Sequence, residues 1–142
     1  MKTRTNSLLI FCLFFALYLQ ARSETPAADF TAFWIKFKAA VVAGSKGNVA
    51  EMTKFPLSMS YGVKPVKNKE EFVRRYAEIF NGEANAAQCF GNATPAKGSD
   101  GGYEIYCPFK KTPNDKENTP IRYVFERTKA GWRFAGLDNI NE

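Results

Sequence analysis

The spacing of the apolar residues changes partway along the chain, and this change constrains the fold more than any other feature. Between residues 30 and 80, aromatic and aliphatic residues recur every three or four positions, as on one face of an α-helix. Between residues 103 and 137, they alternate with other residues, as in a β-strand. Helices followed by strands predict an α+β fold, with about three N-terminal helices packed on one face of an antiparallel sheet.

The first predicted helix has the clearest pattern. It begins at Pro26, because proline is tolerated at the first helical position, and it ends at Gly44. Its core face is a single apolar stripe that consists of Phe30, Phe33, Trp34, Phe37, Ala40 and Val41. A stripe of this kind is typical of a core face, and it would look the same in the wall of a pocket.

Two further helices are predicted before the strands. A short one runs from a cap at Asn48 to Phe55, which precedes a proline and therefore avoids the α conformation. The next begins at Asn68 and ends at Gly82. Its buried stripe consists of Phe72, Tyr76, Ile79 and Phe80.

Strands are predicted at residues 57–61, 103–107 and 121–126, and a further one is expected to begin near Gln88–Phe90. Segments 91–102 and 108–120 are rich in turn-forming residues and predict loops. A turn at Gly131 leads into a return strand, in which Trp132, Phe134 and Gly136 share one face. Asp138 continues that register if the strand stays regular, whereas a break at Gly136 would leave it at a solvated turn.

The N-terminus has the pattern of a secretory signal peptide. A cationic start precedes an apolar run from Leu8 to Leu19, and small residues follow at Ala21 and Ser23. The run is shorter than the roughly 20 residues that span a bilayer. We therefore expect residues 1–23 to be cleaved, residues 24–142 to form one domain, and no stable membrane anchor to remain. The expected location is the periplasm or, as the second choice, the extracellular space.

Two cysteines remain after cleavage, Cys89 and Cys107. In an oxidising compartment such a pair most simply forms a disulfide, and two free thiols are the alternative. Removal of the leader also lowers the net charge from +6 to +3, because three of the 20 basic residues and none of the 14 acidic residues lie in it. A charge of +3 spread along the chain argues against nucleic-acid binding.

The absence of histidine excludes several chemistries. A Ser-His-Asp or Cys-His nucleophile and an imidazole zinc site cannot form. No glycine-rich phosphate loop is present, and the acidic residues form no metal-binding pattern, so neither a cofactor nor a metal is expected. Asp138 is the one weak catalytic candidate, because a carboxylate on a buried face would have a raised pKa.

The order of elements resembles that of the NTF2-like (cystatin-like cone) superfamily, in particular its small exported bacterial members of unassigned function. The segments that carry this resemblance are Phe33-Trp34, Phe55-Pro56-Leu57 and Gly131-Trp132-Arg133-Phe134. It implies a strongly curved sheet that the helices close into a cone, often around a pocket. Enzymes of the superfamily use a pocket carboxylate or an Asp–His pair, and only the first could apply to a chain without histidine. The Q-x-V-x-G segment of inhibitory cystatins is absent.

Three functions follow as hypotheses. The first is an exported, non-catalytic binding module whose cone pocket or sheet face binds a small apolar ligand. Its pocket would be lined by Trp34, Phe37, Tyr61, Tyr103 and Tyr123. The second is a pocket isomerase or hydrolase that uses Asp138 or a tyrosine as acid or base. The third is an immunity-like or inhibitory protein that presents an exposed apolar patch to a protein partner. The sequence leaves the oligomeric state open.

Overall fold

The computed structural model describes residues 26–115, 117–118 and 121–139. This part of the chain contains four helices and five strands. In chain order they are α1 (Pro26–Val42), α2 (Lys46–Glu51), β1 (Thr53–Ser58), α3 (Lys69–Asn81), α4 (Ala86–Asn92), β2 (Ala96–Lys97), β3 (Tyr103–Cys107), β4 (Ile121–Thr128) and β5 (Gly131–Asn139). The predicted cleavage site and residues 1–25 lie outside the described residues.

The two long helices confirm the predictions made from apolar spacing. In α1 the predicted stripe faces the core, and Gly44 follows the helix with a φ of 64°, as a helix-ending glycine does. In α3 the side chain of Asn68 accepts a hydrogen bond from the Glu71 backbone N–H at 3.0 Å. The four predicted apolar residues of α3 are all buried.

The prediction was wrong for the segment between these helices. The second helix starts at Lys46, before the predicted cap at Asn48, and it ends at Glu51. The strand that follows is Thr53–Ser58 rather than 57–61. Phe55 precedes Pro56 and is therefore extended, which places both residues in β1. Proline has no N–H to donate to a sheet ladder, and β1 is accordingly an edge strand.

A second correction concerns Gln88–Phe90, which belong to α4 and not to a strand. The side chain of Asn85 caps this helix by accepting a hydrogen bond from the Gln88 N–H at 3.2 Å. Ala86 and Phe90, four residues apart, are its buried positions. The loop predicted over 91–102 also contains the two-residue strand β2, which pairs with β3.

The five strands lie in the order β1-β5-β4-β3-β2. β2, β3, β4 and β5 pair antiparallel, as predicted, but β1 pairs parallel with β5, so the sheet is mixed. The antiparallel prediction fails for β1 because this strand does not adjoin its sequence neighbour. The chain passes through α3, α4 and three strands before β5 takes its place beside β1.

A bulge in β5 decides which side chains face the helices. Phe134 pairs with Phe125 and Gly136 pairs with Val124, so Ala135 is an extra residue without a partner of its own. Beyond the bulge, Leu137 lies opposite the buried Tyr123, and Asp138 lies opposite Arg122. Of the two alternatives for Asp138, the structure shows the break in register near Gly136: Trp132 and Phe134 face the core, and Asp138 lies on the outer face, still within β5 and not in a turn.

The core lies between the helices and the inner face of the sheet, and aromatic rings dominate it. Phe37 of α1 is fully buried, and its ring centroid lies 5.1 to 6.3 Å from those of Phe80, Phe90, Phe125 and Phe134. The predicted disulfide between Cys89 and Cys107 is confirmed and joins α4 to β3. None of the described helices combines the length and the apolar character that crossing a membrane requires.

Candidate functional site

A cavity of about 120 Å³ lies between the end of α3 and the inner face of the sheet. Its floor is apolar and is formed by side chains of both layers. These are Ile79 from α3, Ala84 from the segment after it, Ile121 and Tyr123 from β4, and Leu137 from β5. Val63 is 39% exposed and Glu83 is exposed, so these two residues mark the mouth. The cavity is therefore an apolar hollow that opens beside a carboxylate.

Tyr123 forms part of the floor and has a fixed hydrogen bond. Its hydroxyl donates to the backbone carbonyl of Ile79 at 3.0 Å, and the side chain is fully buried. Burial raises the pKa of Tyr123 well above its ordinary value, and the negative charge of Glu83 raises it further. The phenol therefore stays neutral and already donates its proton to the protein, which makes it a poor general acid or base.

The polar side of the cavity is built around Asn139. Its backbone N–H donates to the Oγ of Ser60 at 2.8 Å, and its side-chain amide donates to Oε2 of Glu83 at 3.1 Å. These bonds tie the end of β5 to two loops and fix the carboxylate at the mouth. Gly82 sets the turn before Glu83, because a Cβ at this position would lie 2.4 Å from the Glu78 carbonyl oxygen.

The residues predicted for the pocket do not share one cavity. Of the five, Tyr123 lines the cavity described above. Trp34 and Phe37 are buried among other rings in the core. Tyr103 is half-buried and stacks on Phe30 at 3.8 Å between ring centroids. Tyr61 is 87% exposed in the loop after β1.

Asp138 lies on the opposite side of the sheet from the cavity. Its Oδ2 accepts a hydrogen bond from Arg122 Nη2 at 2.6 Å, and Nη1 of the same arginine contacts Glu104 at 3.2 Å. Although burial lowers the pKa of Arg122, the hydrogen bond that it donates to Asp138 and the charges of both carboxylates raise this pKa overall. The Tyr106 hydroxyl donates to Glu104, and this bond raises the pKa of Tyr106. Asp138 is thus a member of a surface ion-pair network across three strands.

Other depressions lie elsewhere on the described part of the chain. One of about 230 Å³ on the outer face of the sheet is lined by Arg122 and Asp138. Another, of about 470 Å³, is an open groove beside the disulfide, lined by Cys89, Tyr106 and Phe109. Among residues 26–115, 117–118 and 121–139, no cluster of three acidic or cysteine side chains could hold a metal ion.

Sequence reasoning missed Ser60, Glu83 and Asn139. Glu83 had one available signal, because it directly follows the helix-ending Gly82 at one end of the predicted cone. Asn139 had a weaker one, because a glycine within a strand often marks a bulge, and a bulge at Gly136 turns Asn139 inward. Ser60 is positioned by the loop after β1, and its distance to Asn139 depends on the tertiary structure alone.

The comparisons with solved structures concern the fold. An NTF2-like protein with a cystatin-like fold from Novosphingobium aromaticivorans aligns with 96% of this chain and 90% of its own, at 14% identity and a TM-score of 0.43. ActVI-ORFA from Streptomyces coelicolor aligns with 79% of this chain and 93% of its own, at 11% identity and a TM-score of 0.45. A protein described as a calcium/calmodulin dependent protein kinase II association domain, from Xanthomonas campestris, aligns over 82% and 88%, at 14% identity and a TM-score of 0.41.

The order of the elements and the packing of the helices against one face of the sheet agree with what the resemblance implied. The arrangement of helices and strands thus resembles that of the NTF2-like superfamily. No protein-family model matches the chain, and a search of curated proteins finds no match. The NTF2-like fold hosts unrelated activities, so the function has to be argued from the cavity itself.

Proposed function

We propose that this protein is an exported, non-catalytic binding module that holds the apolar part of a small ligand in the cavity beneath Glu83. The observation that carries the proposal is the cavity itself, a hollow of about 120 Å³ with an apolar floor between helix and sheet. An apolar cavity of about 150 Å³ is known to bind benzene. The group that enters is therefore about the size of one six-membered ring.

The chemistry around the cavity supports binding over catalysis. Tyr123 is neutral and donates its proton to Ile79. Asp138, the carboxylate that the enzyme hypothesis needs in the pocket, lies on the outer face and pairs with Arg122. Ser60 and Glu83 accept hydrogen bonds from Asn139 at the mouth, where they can also meet a polar group of the ligand. These features suit recognition and orientation.

The test is binding of benzene to the mature protein, followed by chemical shifts of the methyl groups of Ile79, Ile121 and Leu137. We expect saturable shifts that are confined to the cavity. The variant Val63→Trp should weaken binding about tenfold or more, because the indole would fill the mouth. Val73→Trp is the matched control, because both valines are 39% exposed and Val73 lies on α3 outside the cavity lining. Shifts that never saturate, or equal binding by both variants, would contradict the proposal.

Binding of a protein partner is a second candidate, and the outer face of α1 favours it. Ile35 and Val42 lie two turns apart on this face, and each is 56% exposed. Exposed large aliphatic residues at helical spacing are typical of a surface that packs against another helix. A double variant, Ile35→Glu with Val42→Glu, should abolish a stoichiometric complex formed in the host, whereas Val73→Glu should preserve it. An unchanged complex in the double variant would exclude this surface.

A further inference from the structure

The carboxylates near the cavity differ in how they are neutralised. Glu78 accepts hydrogen bonds from two guanidinium nitrogens of Arg75, at 2.9 and 2.7 Å, so its charge is compensated. The pKa of Glu78 is lowered by this contact, in agreement with a stable ion pair. Glu83 accepts a hydrogen bond from the neutral amide of Asn139. Of these two lining carboxylates, Glu83 is the one whose charge is not compensated by an ion pair among the described residues, so it can attract a cationic ligand.

The neighbouring cations do not cancel this charge. Lys110 directs its ammonium group to the backbone carbonyl of Asn81, at 2.8 Å. Lys111 lies outside the lining of this cavity, in a second depression that Glu83 also lines. Neither forms an ion pair with Glu83 within 4.0 Å, and the described residues that line the cavity include no lysine or arginine.

The charge of Glu83 acts on the interior of the cavity as well as on the solvent. Glu83 and Tyr123 line the same cavity, so the carboxylate lies close to the cavity floor. A ligand whose ring lies on this floor would hold a short substituent near the mouth. At that position Glu83 and the Oγ of Ser60 are both hydrogen-bond acceptors, and an ammonium group supplies three donors.

We propose that the cavity selects small primary amines that carry a ring-sized apolar group, with the ring on the floor and the ammonium group at Glu83. This proposal rests on the proposed binding function and specifies its ligand class. A neutral alcohol of the same shape would keep the apolar contact and lose the ion pair. A carboxylate of the same shape would place a second negative charge beside Glu83. The expected order of affinity is therefore amine, alcohol, carboxylate.

The experiment compares the affinities of the mature protein for benzylamine, benzyl alcohol and benzoate at pH 7. These probes have similar shapes and are positively charged, neutral and negatively charged, respectively. At low ionic strength we expect benzylamine to bind roughly two- to fivefold more tightly than benzyl alcohol, which is the range of an exposed ion pair. Added salt should reduce this preference, because it screens exposed charges. Benzoate should bind more weakly than the alcohol.

The decisive variant is Glu83→Gln, which keeps an acceptor for Asn139 and removes the charge. It should lose the preference and bind benzylamine and benzyl alcohol equally. Glu70→Gln is the matched control, because Glu70 is an exposed glutamate of α3 outside the cavity lining. The control should keep the preference for the amine.

The outcomes separate the two proposals. If the wild-type protein binds all three probes equally, the selection of amines is wrong and the apolar binding function stands. If Glu70→Gln loses the preference as Glu83→Gln does, the effect is due to the overall charge of the protein, and this too overturns the selection by Glu83. If benzene and all three probes fail to bind, the binding function itself is wrong.

Discussion

The inner face of the sheet is packed with aromatic rings, whereas the outer face carries ion pairs. On the inner face Tyr123, Phe125 and Phe134 are fully buried, and the hydroxyl of Tyr123 has a backbone partner. On the outer face Arg122 lies between two carboxylates and about a third of its side chain is exposed. A substitution on the inner face should therefore lower the free energy of unfolding more than a comparable one on the outer face. Buried contacts are lost without replacement, whereas water replaces most of the exposed ones.

The largest expected difference in unfolding free energy comes from truncating one aromatic residue of α1 that packs against the inner face and one aromatic residue on the outer face. Phe37→Ala should lower the free energy of unfolding by about 3–5 kcal/mol, because it leaves a cavity among the surrounding aromatic rings. Tyr106→Ala, at a position 40% exposed on the outer face, should lower it by less than about 1 kcal/mol. Urea unfolding followed by tryptophan fluorescence measures both. Equal losses of unfolding free energy in the two variants would contradict the expected difference between the faces.

The bulge at Ala135 predicts opposite results at two adjacent positions. Leu137→Asp should lower the free energy of unfolding by about 2–3 kcal/mol, because it places a carboxylate on the inner face without a cation. Asp138→Leu should lower it by less than about 1 kcal/mol, because it removes one partly exposed ion pair. The same unfolding experiment serves here. If the second change costs more than the first, the register after Gly136 is the reverse of the one described.

Removing one hydroxyl from each face gives a smaller effect. Tyr123→Phe should lower the free energy of unfolding by about 1–2 kcal/mol, because the Ile79 carbonyl loses a buried partner. Tyr106→Phe should change it by less than about 0.5 kcal/mol, because its hydroxyl lies at the surface.

The buried hydroxyl of Tyr123 also predicts that stability depends on pH. Burial raises the pKa of Tyr123 above the ordinary value of 10.0, so the folded state holds this proton more tightly than the unfolded state. The resulting stability is complete below pH 10 and decreases as the pH rises further. Wild-type protein should therefore lose stability faster than Tyr123→Phe above pH 10. Parallel curves for the two proteins would contradict the assignment of this proton to Tyr123.

The last prediction concerns Asp138, the carboxylate that the sequence proposed as a weak catalytic candidate. Asp138→Asn should change the free energy of unfolding by less than about 1 kcal/mol, because both partners of its ion pair are partly exposed. It should leave benzene and benzylamine binding unchanged, since Asp138 does not line the cavity. A loss of binding, measured by the same chemical-shift titration, would show that Asp138 contributes to the functional site.

The sequence predicted those elements whose signal is local. The stripe of α1 and the cap of α3 at Asn68 depend on residues three or four positions apart, and both were confirmed. The helix α4 was missed although Asn85 precedes Gln88 by the spacing of a capping pair, because the seven-residue helix is too short to show a period. The start of β1 was misplaced because the preceding six-residue helix is equally short.

The candidate site was less predictable than the fold. Tyr123 was expected in a pocket because it lies on the apolar side of its strand, and it lines the cavity. Trp34 and Phe37 satisfied the same pattern and are core residues, since apolar spacing does not distinguish a pocket wall from a packed interior. Glu83 lies in no periodic element, and its value as a binding residue depends on Asn139, which is 56 residues away.

By itself, the sequence determined which residues leave water and which pair of cysteines forms the disulfide. Apolar side chains at a regular spacing must be buried together, and Cys89 and Cys107 are the two cysteines that follow the predicted leader. The tertiary structure alone decided the parallel pairing of β1 and the side of the sheet on which Asp138 lies. One extra residue in a strand reverses every position after it, and only the pairing of β5 with β4 shows where that residue is accommodated.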